Sequence, residues 1–197
     1  MTDTRRKLLR ATIDTLRDRG ISGTSARTIA AAAGVNQALV FYHFGSVADL
    51  IDAACRSAAA EQVERYQPRF RQVSSLAELL LLGQELHAEQ QQAGNLTVLT
   101  QVLAGARQDD TLARAAQHAL GLWIAEIEVT LERLLGGSST TGFADTAGLA
   151  RAVAATFVGL ELYRGADRNG ANKAVTALQQ LSNAVHPVRA AAARTTQ

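Results

Sequence analysis

Among 197 residues there are one cysteine, two prolines and only 5% aromatic residues. A lone cysteine, Cys55, closes no internal disulfide, so the chain fits a reducing cytoplasm. The scarcity of proline and of β-branched or aromatic runs favours helices over strands. No apolar stretch of about 18 residues is present for a membrane span. The nearest candidate, Leu76 to Leu86, is too short and contains Glu78, Gln84 and Glu85. The basic start, Thr4-Arg5-Arg6-Lys7, leads into alternating polar and apolar residues rather than the apolar core of a signal peptide. Catalytic signatures are lacking too: no two-histidine helix motif, phosphate-binding glycine loop, Gly-x-Ser-x-Gly or supported carboxylate pair. His87 and His118 stand apart from any metal-ligand spacing. The expectation is a cytoplasmic protein that is not an enzyme and uses no metal, cofactor or membrane.

What is abundant is alanine and leucine, within a hydrophobic share of 47%. Net charge is +2, but it is unevenly spread. Residues 1–45 carry seven cations (Arg5, Arg6, Lys7, Arg10, Arg17, Arg19, Arg27) against Asp3, Asp14 and Asp18, an excess of four that leaves −2 for the remainder. A basic end is where a polyanion docks, because neutralised phosphates release counterions. A solvated basic helix face has the same composition.

Periodicity and punctuation divide the chain into helices. Leu9, Ile13 and Leu16 form one apolar stripe on a helix from about Thr4 to Arg19, stopped by Gly20. Ser25 is an N-cap for a short helix ending near Ala33, and Gly34 turns the chain. Asn36 caps a third helix ending near Phe44, with Val35 and Val40 spaced as a hydrophobic staple. Ser46 and Asp49 resemble a capping box for a long helix to about Tyr66, with Pro68 marking its break near Gln67. Further helices are expected at about 75–92, 96–106, 110–135, 144–165 and 171–186. The glycine- and serine-rich stretch 136–142 is expected as a loop, Pro187 as the last helix stop and 190–197 as a frayed tail. The fold class is all-α, a three-helix N-terminal unit followed by a larger helical body.

The segment from Ser25 to Phe44 carries the functional reading. Two helices that cross steeply need small residues at the contact, and Ala30 and Ala33 supply them. Gly34 tolerates the turn between them. Ile29, Val35 and Val40 pin the second helix inward, leaving Gln37, Ala38, Leu39, Tyr42 and His43 on or near the outward face. A helix presented in this way fits the major groove of DNA. Gln37 can pair with adenine, Leu39 can touch a thymine methyl, Tyr42 suits a phosphate or a thymine methyl, and His43 suits a phosphate or the cap of the helix C-terminus. Phe41 and Phe44 are expected in the core. Arg5, Arg6 and Lys7 form either an arm contacting the backbone or minor groove or a disordered basic tip.

From Arg5 to Ile51, about a quarter of the chain, the sequence resembles the DNA-binding domain of the tetracycline-repressor (TetR) family. The matching features are Ala30-x-x-x-Gly34-Val35, the Phe41-Tyr42-His43-Phe44 cluster, and Gly45-Ser46 followed by Asp49-Leu50-Ile51. The resemblance implies a DNA-binding domain at 1–46 and a ligand-binding and dimerisation domain at 47–197. It further implies a homodimer on a palindromic double-stranded operator, functioning as a repressor released by a small molecule. By position it assigns DNA contacts to Ser25, Arg27, Gln37, Ala38, Leu39, Tyr42, His43 and Ser46. The sequence departs from the family at Val47, where a phosphate-contacting lysine is usual; Ser46 and backbone N–H groups remain to serve there.

The body matches in length and helix content only. Leu149, Val153, Phe157 and Leu160, then Leu178, Leu181 and Val185, form stripes accompanied by Ala152, Ala154, Ala155 and Gly159. A monomeric core and a four-helix dimer interface explain them equally, and the resemblance favours the dimer. Trp123, on the stripe Leu120, Trp123, Ile124, Ile127, Leu131, suits plain core or a cavity wall. The cavity the resemblance implies would draw on Tyr66, Phe70, Leu86, Leu99, Leu103, Trp123, Ile127 and Phe157. Few charges fall in 94–106 and 143–160, so a mostly apolar effector is expected. Cys55 reads as a small buried hydrophobe.

Overall fold

The computed structural model describes residues 3–135, 145–177 and 180. Among the described residues the helices succeed one another as α1 Asp3–Arg19, α2 Ala26–Ala33, α3 Ala38–Phe44, α4 Val47–Gln72, α5 Leu76–Gln92, α6 Asn95–Gly105, α7 Asp110–Leu135 and α8 Thr146–Ala166. Residues 168–177 are helical as well, and no strand occurs among the described residues. The expected 136–142 loop, Leu178, Leu181, Val185, the Pro187 stop and the 190–197 tail lie outside the described residues. Among those described, no single helix is long and apolar enough to cross a membrane.

The chain forms two compact units, Met1–Arg65 with Gln90–Trp123, and Tyr66–Glu89 with Ile124–Gln197. In the first, the short helices close over Leu8, Leu9, Ala26, Ile29, Ala30, Val40, Leu50 and Ala54. A second cluster gathers Leu16, Ile51, Cys55, Val98, Val102, Leu112, Ala115 and Ala116. Ile13 and Val47 pack against both clusters. Burial on α1 is wider than its Leu9–Leu16 stripe and takes in Thr12 and Thr15. Their hydroxyls are satisfied inside the helix, donating to the carbonyls of Leu8 (2.8 Å) and Ala11 (2.6 Å). Burial, with Asp52 adding to it, pushes the Cys55 thiol up to about 12, so it remains protonated in the fold.

In the second unit, α4 corrects the sequence expectation. It does not stop near Gln67 but runs through Pro68 to Gln72. An interior proline costs about 3 kcal/mol by removing a backbone donor and crowding the preceding turn. Tyr66, Phe70 and Val73 are buried along this stretch, and each such aromatic or branched side chain contributes about 1.5–3 kcal/mol. Arg133 of α7 then caps the helix end, donating to the carbonyls of Phe70 (2.9 Å) and Val73 (2.7 Å). Its charge also suits the negative end of the helix dipole. Arg69 adds ion pairs to Glu85 and Glu89 (2.8 Å to the latter), and the Tyr66 hydroxyl donates to Glu89 (2.7 Å). Tertiary contacts thus outweigh a local stop signal. Elsewhere in this unit α5 and α8 approach so closely that a Cβ on Gly83 would overlap the Phe157 ring.

Candidate nucleic-acid interface

The α2–α3 pair is built by local chemistry. Ser25 caps α2, accepting from the Thr28 backbone N–H (3.2 Å), while the Thr28 hydroxyl accepts from the Ser25 N–H (2.9 Å). Threonine here fills the reciprocal role that glutamate or glutamine usually takes. At the other end Gly34 adopts φ +64°. Its N–H reaches the Ala31 carbonyl (3.2 Å) and the Val35 N–H the Ala30 carbonyl (3.0 Å), the paired bonds of a Schellman stop. Because Ala30 is small and buried, Val35 can fold back beside it. The Asn36 side chain accepts from the Ala38 N–H (2.8 Å), but α3 begins at Ala38, one residue later than a cap at Asn36 implies, with Gln37 in the cap position. Gly45 at φ +80° ends it.

Val40 is fully buried and fixes the rotation of α3. As a result Gln37 and Ala38 are exposed, Leu39 and His43 half-buried, and Tyr42 is 81% exposed. Phe41 departs from expectation: one position beyond buried Val40, it sits at the rim with 47% of its surface exposed. Phe44 does pack against the core, with the Arg5 guanidinium 4.9 Å above its ring. Edge contacts link Tyr42 to His43 (5.0 Å) and His43 to Phe44 (6.4 Å). Ser46 accepts from the Asp49 N–H (3.0 Å) and donates to its carboxylate (2.6 Å). Ser25 and Arg27 are exposed at the start of α2.

Charge around this surface is sorted by pairing. Asp3 binds Lys7 (2.8 Å) and Arg6 (3.1 Å), which together hold its carboxyl below its ordinary value, and Asp14 binds Arg17 (2.9 Å). Arg10, Arg19 and Arg27 make no ion pair among the described residues. Since α1 starts at Asp3, the Arg5–Lys7 cations are helical rather than an extended arm.

The residues expected around a cavity divide between the units. Tyr66, Phe70, Leu86, Ile127 and Phe157 belong to the second; Leu99, Leu103 and Trp123 to the first. Sequence reading missed the polar groups nearby. His87 is buried on α5, its Nε2 3.2 Å from Glu161 of α8, and Arg164 Nε lies 3.9 Å from the same carboxylate oxygen. Burial holds the His87 pKa below its ordinary value; Arg164 adds to this and Glu161 opposes it. His118 likewise meets a carboxylate, Asp52, at 2.8 Å. Both histidines looked isolated only because their partners are remote in sequence. No cluster able to hold a metal occurs among the described residues.

Comparison with known proteins agrees with this geometry. The family described as bacterial regulatory proteins, tetR family, matches residues 8–54. The HTH-type transcriptional repressor Rv3405c of Mycobacterium tuberculosis is 34% identical over 128 residues, 58% of this chain and 67% of that protein. A Rhodococcus structure described as a TetR-family transcriptional regulator superposes with TM-score 0.74 at 20% identity, covering 94% of this chain and 99% of that one. The regulator FadR of Bacillus subtilis, in complex with stearoyl-CoA, gives 0.72 at 11% identity over 89% and 96%. A Saccharomonospora viridis regulator in complex with choline gives 0.67 at 21% over 93% and 95%. A capped, Schellman-terminated α2, a short outward-facing α3 and these matches together show that the chain belongs to the TetR family of DNA-binding bacterial regulatory proteins.

Proposed function

We propose that this regulator is a homodimeric repressor of transcription, released from a palindromic operator by a small molecule held in its helical body. Residues 1–46 serve DNA binding and 47–197 serve ligand binding and dimerisation. The observation that carries the reading is the outward face of α3, where Tyr42 stands 81% exposed beside exposed Gln37 and Ala38. With exposed Phe41 beside it, Tyr42 makes an aromatic patch on a short helix that suits a partner surface. Gln37 and Leu39 read base edges; Tyr42, His43, Ser25, Arg27 and Ser46 hold the backbone, with Ala38 allowing close approach.

Support for a dimer comes from α8. Ala152, Ala155, Thr156, Gly159, Leu162 and Tyr163 follow one side of that helix and are all exposed, Leu162 by 57% and Tyr163 by 49%. Small residues flanked by large apolar ones suit close packing against a second copy around a two-fold axis. Two such copies would set their α3 helices about 34–36 Å apart, one turn of DNA.

Ligand response is supported by the stearoyl-CoA and choline held by two proteins of this fold. In this chain we assign the lining to Tyr66, Phe70, Leu86, Ile127 and Phe157, an apolar set that suits a mostly apolar effector. Release is then a population shift: a ligand that favours the arrangement with mis-spaced recognition helices weakens DNA binding reciprocally.

The test joins the three parts. The purified protein should sediment as a dimer, and Leu162→Glu should shift it to monomer and lose operator binding. A reporter under the DNA upstream of the protein's own gene should be silenced by it. A compound that raises its melting temperature should relieve the silencing. A stable monomer that still binds operator fully, or a reporter that rises with the protein, contradicts the proposal.

A further inference from the structure

We infer that Arg19, at the far end of α1, forms with Arg27 a clamp on the DNA phosphodiester backbone beside the base-reading helix. The inference deepens the DNA-binding reading and rests on it.

The two arginines share a built groove. Gly23 is folded so tightly onto the end of α1 that a Cβ there would lie 2.6 Å from Arg19 Cβ and 2.7 Å from its carbonyl oxygen. The Thr28 hydroxyl donates to the Gly23 carbonyl (3.0 Å) while completing the cap of α2. The loop therefore ties the last residue of α1 to the first turn of α2. Between them lies a groove of about 410 Å³ lined by Arg19, Arg27, Thr28, Ala31 and Ala32. Ala31 and Ala32 are exposed and leave its floor low.

Its electrostatics select the occupant. No carboxylate lines the groove, and neither arginine makes an ion pair among the described residues. By contrast, on the same α1 helix Arg6 and Lys7 share Asp3 and Arg17 pairs with Asp14. Two unneutralised guanidiniums facing one space favour an anion between them, and planar guanidinium suits phosphate oxygens. The groove runs along the exposed side of α2, the helix that crosses the DNA backbone in a helix-turn-helix. Arg27 belongs to both the groove and the recognition surface, so the strand that passes α3 has a direct path into it.

The experiment uses the full-length protein and a duplex enriched by it from a random library, with a scrambled duplex beside it. Dissociation constants are measured across a salt series for the wild type, Arg19→Gln, Arg19→Lys and Ala32→Glu, with Arg107→Gln as an exposed control. Arg19→Gln should weaken binding about tenfold at about 0.1 M salt, by the same factor on both duplexes, and flatten the salt slope by about one per subunit. Arg19→Lys should restore most of the slope, because phosphate accepts a point charge. Ala32→Glu, which places a carboxylate on the groove floor, should weaken binding at least as much, and melting temperatures should hold throughout. An unchanged slope in Arg19→Gln, with Tyr42→Ala still weakened, overturns the clamp and leaves the DNA reading intact. Failure of the wild type to enrich any duplex overturns both. Saturable binding of inorganic phosphate that Arg19→Gln abolishes, without any change in DNA affinity, also overturns it by assigning the groove to a free anion.

Discussion

The α2–α3 surface and the second unit use their polar side chains in opposite ways. Around α2 and α3 the polar and aromatic groups point outward: Gln37, Tyr42 and Arg27 are exposed, and Arg19 and Arg27 have no ion-pair partner among the described residues. In the second unit polar groups turn inward: Arg133 reaches the end of α4 and the Tyr66 hydroxyl reaches Glu89, while His87 lies 3.2 Å from Glu161 without a hydrogen bond to it. A buried polar group is costly unless partnered, so inward groups maintain the fold. Outward groups left free cost little and remain available for a partner. Substitutions in the two regions should therefore separate cleanly into changes of stability and changes of binding.

The largest effect belongs to the inward set. Phe70→Ala removes the buried ring that helps carry α4 past Pro68, and should lower unfolding free energy by about 3–5 kcal/mol in a denaturant titration. A loss below about 1 kcal/mol would mean that the helix passes the proline for another reason. Next comes the outward set: Tyr42→Ala or Gln37→Ala should cost about 1–3 kcal/mol of specific DNA binding while stability stays within about 0.5 kcal/mol. Loss of stability and binding together would erase the distinction between the regions.

A smaller effect concerns acid. The pKa of His87 is held below the 6.5 of an unperturbed imidazole. Just below pH 6.5 the unfolded chain therefore binds the proton that the folded chain refuses. The stabilising contribution is full above that pH and is lost as pH falls through the window beneath it. His87→Gln should flatten this part of the stability–pH curve. An equally steep curve would place the acid sensitivity elsewhere. The smallest effect is chemical: the Cys55 thiol, buried and pushed up to about 12, should resist a thiol reagent at neutral pH until the protein unfolds. Rapid labelling of the native state would contradict its burial.

How much was legible in the sequence follows the same division. The α2–α3 pair is specified by neighbours in the chain: Ser25 with Thr28, Ala30 with Gly34 and Val35, Asn36 with Ala38. Such short-range chemistry can be read directly, and the boundaries of α2 followed from it. Phe41 was misplaced because residue type was weighed above helical phase; with Val40 buried, its neighbour must turn outward. The course of α4 was hidden because Arg133, which holds its end, lies 63 residues from Phe70 and 60 from Val73. The partners of His87 and His118 were hidden for the same reason, Asp52 being 66 residues from His118. Thr28 was passed over because the reciprocal cap usually shows glutamate or glutamine. The clamp arginine Arg19 was visible only as charge, since its direction depends on the fold at Gly23.

The central claim, that the outward face of α3 reads DNA sequence, is tested most directly by an affinity ratio. Dissociation constants for the enriched duplex and for its scrambled counterpart are measured at matched salt, for the wild type and for Gln37→Ala with Tyr42→Ala. The wild type should prefer the enriched duplex by about 10³-fold or more, and the double variant should lose most of that preference while keeping its salt-dependent affinity for scrambled DNA. Equal preference in the two proteins would contradict the claim and move the reading face elsewhere.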